Sequence, residues 1–270
     1  MPRWTPDDIP WAEFDKTKLD AQLLQLIKAA GLTEHNAGHY TKYLLKVFAG
    51  DAAFAEMAAE WQLEEEQHGR ILGRYAELAD PGYDFKATFK AFQEGYVIPI
   101  DYDQSIRGSR VGELLSRCIV ETGTSSFYSA IAEATEEPVL KAIAKRIAAD
   151  EFRHYRSFLD AIKRYQPEEK VSLLARIKVA IGRLKETEDD ELAFAFHCGN
   201  EPGVAYDHAR CNSAYALRAY RLYGYHHTHR AVGMIFKATG LDPKGWLGRQ
   251  AVEWTWRKIR SRTRRLAAAA

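Results

Sequence analysis

The chain has 270 residues, enough for one sizeable domain, with 46% hydrophobic residues to build a core and 28% charged residues, ordinary for a soluble protein. A formal net charge of +1 excludes a molecule built as a whole to bind nucleic acid, and three cysteines without C-x-x-C spacing exclude a disulfide scaffold. No apolar run approaches the roughly 20 residues that cross a bilayer, and the opening "MPRWTPDDIPWAEFD" has no apolar leader segment, so a cytoplasmic protein is expected.

Helical periodicity dominates from the first elements. Leu19, Leu23, Leu24 and Ile27 mark one amphipathic face, which Tyr40, Leu44, Leu45 and Phe48 continue past Gly31. "AGDAAF" reads as a stop and restart with Asp51 as N-cap, opening a second helix over about 52–78 that "ADPGYDF" ends. After a looser aromatic stretch, a third helix is predicted from near Ser109 to about Ala134. Pro138 then stands in the first turn of a fourth, running to about Arg164 before "QPEE". Further helices are predicted over 171–185, 212–239 and 245–264. β-branched alternation is nearly absent, so the fold class is all-α. Residues 1–165 read as a bundle with a short N-terminal arm, and 166–270 as a helical extension packed on it in a single unit. From Leu241 onward eight Lys or Arg stand against only Asp242 and Glu253, either a solvated basic helix or a docking patch for an acidic partner.

Two Glu-x-x-His pairs fall in the middle of long predicted helices: Glu65 with His68 and Glu151 with His154. Residues i and i+3 share a helix face, so each pair aims a carboxylate and an imidazole at one spot. Composition alone would supply about 0.7 such pairs, so one pair proves little. The single acids Glu34 and Glu121 strengthen the signal, lying 31 and 30 residues before Glu65 and Glu151. Each precedes its pair by about one helix, giving an approximate internal repeat. The order Glu, Glu-x-x-His, Glu, Glu-x-x-His is that of a di-iron carboxylate four-helix bundle. Carboxylates let iron change oxidation state and bridge two metals, while one imidazole per metal leaves positions open for dioxygen. Zinc in a structural site would prefer thiolates. The same ligands suit Mn/Fe as well as Fe/Fe. Glu64 and Glu66, about 100° to either side of Glu65, read as solvated or as partners of the ligands. Asp150 is expected to hydrogen-bond a ligand histidine.

These residues carry a family resemblance. "WQLEEEQHG" resembles the W-x-x-E-E-x-x-H-G segment of the soluble acyl-carrier-protein desaturases, and "IAADEFRH" resembles their D-E-x-R-H segment. "TEHNAGHY" occupies the place of their T-E-E segment and "ETGTSSFY" that of E-R-A-T, with Thr122 and Gly123 replacing Arg and Ala. The likeness covers about residues 20–165. It implies a ferritin-like four-helix bundle with additional C-terminal helices, and two iron ions held by Glu34, Glu65, His68, Glu121, Glu151 and His154. It further implies that Thr124 stands beside the oxygen site and Trp61 near the cluster, on the electron route.

The expected function is a dioxygen-dependent di-iron oxidoreductase acting on an acyl chain, the chain carried on an acidic carrier protein. No nucleotide-binding glycine motif is present, so electrons are expected from an external ferredoxin-like donor. A homodimer is expected. The alternatives are an N-oxygenase or hydroxylase of a small metabolite, and a non-catalytic ferritin-like protein handling iron or peroxide. "FHCGNEPGVAYDHARC" and "YGYHHTHR" match no segment of that family. Within them His197, Cys198, His208 and Cys211 read as packing and loop residues, and His226, His227 and His229 as a surface or partly buried cluster. Tyr206, Tyr215, Tyr220 and Tyr223 read as core or interface.

Overall fold

The computed structural model describes residues 3–96, 102–186 and 190–269. The fold is an all-α, ferritin-like bundle, with no strand among the described residues. The bundle helices are α1 (Ala21–His35) with α2 (Ala37–Val47), then α3 (Ala52–Ala79), α5 (Arg110–Ala134) and α6 (Pro138–Glu169), while the short α4 (Phe85–Gly95) follows α3. Later come α7 (Leu173–Lys185), α8 (Asp190–Asn200), α9 (His208–Leu222), α10 (Tyr225–Thr239) and α11 (Trp246–Ala269). α1 pairs with α3 and α5 with α6; α7 and α10 lie against α5, and α8 lies against α1.

Local chemistry sets most boundaries. The Asp51 carboxylate accepts the N–H of Phe54 (2.9 Å) and Ser109 Oγ that of Gly112 (2.9 Å), each such cap contributing about 1 kcal/mol. Pro138 starts α6 with Glu137 accepting from Val139 and Leu140.

Four departures from the periodic reading have identifiable causes. The first long helix breaks at Asn36, whose Oδ1 takes a hydrogen bond from His39 Nδ1 (2.8 Å), so the side chain competes with the helix ladder. The aromatic stretch contains α4, capped by Asp84, with Phe92 fully buried. α6 runs past Pro167 to Glu169, whose carboxylate anchors this last turn to the start of α5 by accepting the N–H groups of Arg110 (3.1 Å) and Val111 (2.9 Å). The 212–239 segment divides at Gly224, whose extended backbone serves as the N-cap of α10. α8 corresponds to no helix of the periodic reading.

The bundle core is split along its length. One apolar cluster includes Ile27, Leu72, Tyr75, Ile131 and Ile143; the other includes Leu44, Phe54, Trp61, Leu114 and Phe158. Between them α3, α5 and α6 each pass through a polar segment at 64–68, 121–126 and 150–154. A close approach sets the depth of α1 beside this layer. A Cβ on Gly69 would lie 2.5 Å from His35 Cβ and 2.6 Å from His35 N. Only glycine lets the end of α1, and with it Glu34, come that near to α3.

Candidate metal centre

The polar layer gathers the acids and histidines that the spacing singles out. Glu34 comes from the last turn of α1, Glu65 and His68 from α3, Glu121 from α5, and Glu151 and His154 from α6. All six are buried, with His68 at 0% and Glu151 at 1% relative exposure. They form two groups, Glu34–Glu65–His68–Glu151 and Glu65–Glu121–Glu151–His154. In each, one ligand atom per residue lies within 4.8 Å of all the others. Glu65 and Glu151 belong to both. His68 Nδ1 is 3.3 Å from Glu151 Oε1 and 3.6 Å from Glu34 Oε2. His154 Nδ1 is 3.0 Å from Glu65 Oε1 and 3.6 Å from Glu121 Oε2.

The outward nitrogens of both rings are held. His68 Nε2 donates to Asp150 Oδ2 (3.0 Å) and His154 Nε2 to Glu64 Oε2 (2.7 Å). Arg153 joins the two acids, donating to Asp150 and, through Nη2, to both oxygens of Glu64 (2.7 and 2.8 Å). From the N-terminal arm, Trp4 Nε1 donates to Asp150 Oδ2 (2.7 Å) and its ring stacks on His68 at 6.0 Å between centroids. Fixing Nε2–H in this way leaves the lone pair of Nδ1 facing the carboxylates, the orientation of a metal-ligating imidazole.

Two hydroxyls reach the acids from α5. Thr124 Oγ1 donates to Glu151 Oε2 (2.6 Å), and Tyr128 OH donates to Glu34 Oε1 (2.6 Å). Trp61 lies one turn before Glu65, buried against Phe158 with ring centroids 5.9 Å apart. Glu64 is therefore a partner of His154 and not a solvated residue, while Glu66 accepts from Gln62 (2.7 Å) at a partly exposed position. Trp4 and Tyr128 carried no sequence signal of this role, and Arg153 only its place in the D-E-x-R-H segment.

Electrostatics makes the layer costly on its own. Burial, with repulsion from Glu151 and Glu34, pushes the Glu65 carboxyl well above its usual range; burial and Glu151 push Glu121 up to about 8. Burial would also raise Glu151, but hydrogen bonding and the charges of both imidazoles outweigh it and hold the group at about 2. Burial opposes charge on His68 and His154, yet Asp150, Glu64 and the central acids raise both well above ordinary histidine values. Asp150 is held at about 2, its burial outweighed by His68, Arg153 and Trp4.

The donor set fits two divalent cations. Glu34 Oε2, Glu65 Oε1, Glu151 Oε1 and both Nδ1 atoms are buried without a hydrogen-bond partner. Such atoms are expensive in an apolar core unless something positive sits among them. Two divalent ions would balance four carboxylates and leave both imidazoles neutral. We therefore expect Asp150→Asn, which keeps the shape but removes the charge behind His68, to weaken metal binding about 10- to 100-fold. Titration of the metal-free protein with iron(II) measures this, and an unchanged affinity would contradict it.

The other histidine groups divide. Glu133, His226 and His227 come together, but the N–H of Gly224 donates to His227 Nδ1 (3.0 Å). The neutral ring thus carries its proton on Nε2, 3.3 Å from Glu133 Oε1, and offers no lone pair to a metal at either nitrogen. His197, Glu201 and Cys211 also converge, whereas Cys198 and His208 are not in that group. No helix among the described residues is long and apolar enough to cross a membrane.

Comparison with known proteins gives one family. The family model described as "Fatty acid desaturase" matches residues 15–181, which contain all six acids and histidines of the centre but not Trp4. No curated protein matches the chain.

Proposed function

We propose, because the chain belongs to the fatty acid desaturase family, that it is a dioxygen-dependent di-iron oxidoreductase that desaturates an acyl chain, in the manner of the acyl-carrier-protein desaturases. The observation that carries this reading is the convergence of unpartnered buried ligand atoms into two groups sharing Glu65 and Glu151. Glu34 and His68 would complete one iron site, Glu121 and His154 the other. When bound, the iron pair supplies the reduction of dioxygen that the protein itself cannot perform. Overall, –CH2–CH2– with O2, two electrons and two protons gives –CH=CH– and two waters.

The residues of the chain do the remaining work. Asp150 and Glu64 hold the two imidazoles in one tautomer, and Arg153 keeps those acids ionised and in place. Thr124, partly exposed and donating to Glu151, would exchange a proton at Oγ1 with that carboxylate. Tyr128 restrains Glu34. The two apolar clusters on either side exclude water. A donor of the ferredoxin kind would supply the two electrons. Trp4 rather than Trp61 is the tryptophan hydrogen-bonded into the histidine network.

The test uses the iron-loaded full chain with a ferredoxin reducing system, air and two substrates: an acyl group on a carrier protein and the free fatty acid. Mass analysis is expected to show an acyl product two hydrogens lighter than its substrate. A hydroxylated product would move the protein to the hydroxylase reading, and no acyl product from either substrate would overturn the acyl assignment.

A further inference from the structure

A second cluster of ligand-type side chains lies outside the bundle centre, in the segment "FHCGNEPGVAYDHARC". His197 occupies the last turn of α8. Glu201 follows one helical turn later, its N–H donating to the His197 carbonyl (2.8 Å). The chain then turns through 202–207, and Cys211 enters in the first turn of α9, which Asp207 caps. The two helix ends thus face each other across a seven-residue turn.

The geometry is that of a small coordination shell. Cys211 Sγ is 3.5 Å and His197 Nδ1 is 3.6 Å from Glu201 Oε2, and all three ligand atoms lie within 4.8 Å of one another. A tetrahedral zinc site with Zn–S near 2.3 Å and Zn–N or Zn–O near 2.0–2.1 Å has ligand-to-ligand edges of about 3.3–3.6 Å. Two of the three edges already have that length. His197 Nδ1 is buried and has no hydrogen-bond partner, and Cys211 is fully buried with its thiol turned to the carboxylate. These two groups point at the same place from different helices. A thiolate and a carboxylate together neutralise one divalent ion.

Arg210 is the competing group, donating to Glu201 Oε2 at 2.6 Å. Its side chain is 44% exposed and the same nitrogen also donates to the Ala205 carbonyl (3.1 Å), so ligation by Glu201 requires the carboxylate to turn its other oxygen to the guanidinium. Ligating carboxylates are ordinarily hydrogen-bonded through their second oxygen, and Arg210 would then serve as that donor.

From this arrangement we infer that His197, Glu201 and Cys211 form a mononuclear site for a thiophilic divalent cation, zinc being the natural occupant. Its fourth position opens outward, since His197 and Glu201 are each partly exposed. The sulfur ligand selects against magnesium and calcium, and separates the site chemically from the all-oxygen-and-nitrogen centre of the bundle. Once filled, it ties the end of α8 to the start of α9. The inference does not depend on the bundle centre being a di-iron site.

That chemical difference supplies the test. Cobalt(II) added to the full chain is expected to give an intense sulfur-to-cobalt charge-transfer absorption that saturates at one ion per chain. Cobalt bound by carboxylates and imidazoles alone gives only weak bands. Cys211→Ser and His197→Ala are expected to abolish the intense absorption while circular dichroism stays helical; Cys198→Ser is expected to retain it. Excess zinc should displace the cobalt and erase the band. Absence of the band in the full chain, or its survival in Cys211→Ser, would overturn the assignment.

Discussion

Replacing Glu151 by alanine is expected to release both metal ions and to lower turnover by roughly a thousandfold or more, because it removes the ligand common to both halves of the centre. The Glu151 Oε1 atom lies 3.3 Å from the Nδ1 of His68 and 3.8 Å from that of His154, so this one carboxylate stands between the two imidazoles. Its other oxygen holds Thr124. Glu34→Ala and Glu121→Ala make the informative comparison, since each acid belongs to one group only. Those variants are expected to keep about one ion per chain, and Glu151→Ala essentially none. Iron per folded chain, measured by elemental analysis beside turnover, separates the cases. A Glu151→Ala protein that retained two ions would refute the shared-ligand arrangement, and equal losses in all three variants would refute the division into halves.

How far such a site can be read without coordinates depends on how local each determinant is. The i, i+3 geometry of a helix is local, so Glu65 with His68 and Glu151 with His154 were legible, as were the cap Asp51 and the start of a helix near Ser109. The pairing of helices was legible only through the repeated spacing of Glu34 and Glu121. The break at Asn36 depends on a side-chain hydrogen bond to His39 that no hydrophobic pattern records. α4 did leave a signal in Phe85, Phe89 and Phe92 behind an N-capping Asp84, obscured by the aromatic residues around it. The support of the histidines was not legible in full. Asp150 could be guessed from its position beside Glu151, but Trp4 reaches it from 146 residues away and Glu64 reaches His154 across 90. Contacts of that range are consequences of the tertiary fold. Their physical requirement, a buried ring nitrogen needing an acceptor, says that partners must exist without saying where in the chain they lie.

The stability gap between metal-loaded and metal-stripped protein is expected to widen as pH rises from 6 to 9. Glu121, with burial and Glu151 raising it to about 8 in the metal-free protein, is a group whose folded value exceeds its unfolded one. Its stabilising contribution is complete below the unfolded carboxylate range and is lost as pH rises through about 8. His68 and His154 act in the same sense, for they too are raised: the stripped protein is stabilised by their protonation, and loses that support as alkali removes it. Glu151 has the opposite sign, being lowered to about 2, so its contribution is lost only as pH falls through that value and does not enter this window. Metal binding reverses the balance, because ligating carboxylates must be ionised and ligating imidazoles neutral, and uptake therefore expels protons. Each proton released per ion bound corresponds to about 1.4 kcal/mol per pH unit in the stability difference, or roughly 2–4 °C in Tm for a chain of this size. Thermal melts of chelator-stripped and iron(II)-loaded protein, run anaerobically at pH 6, 7, 8 and 9, measure it. The stripped protein should melt progressively lower with rising pH while the loaded one changes little. A constant gap would mean that no proton leaves the centre on metal binding, and hence that the buried acids are already ionised and compensated by something other than the cations argued for above.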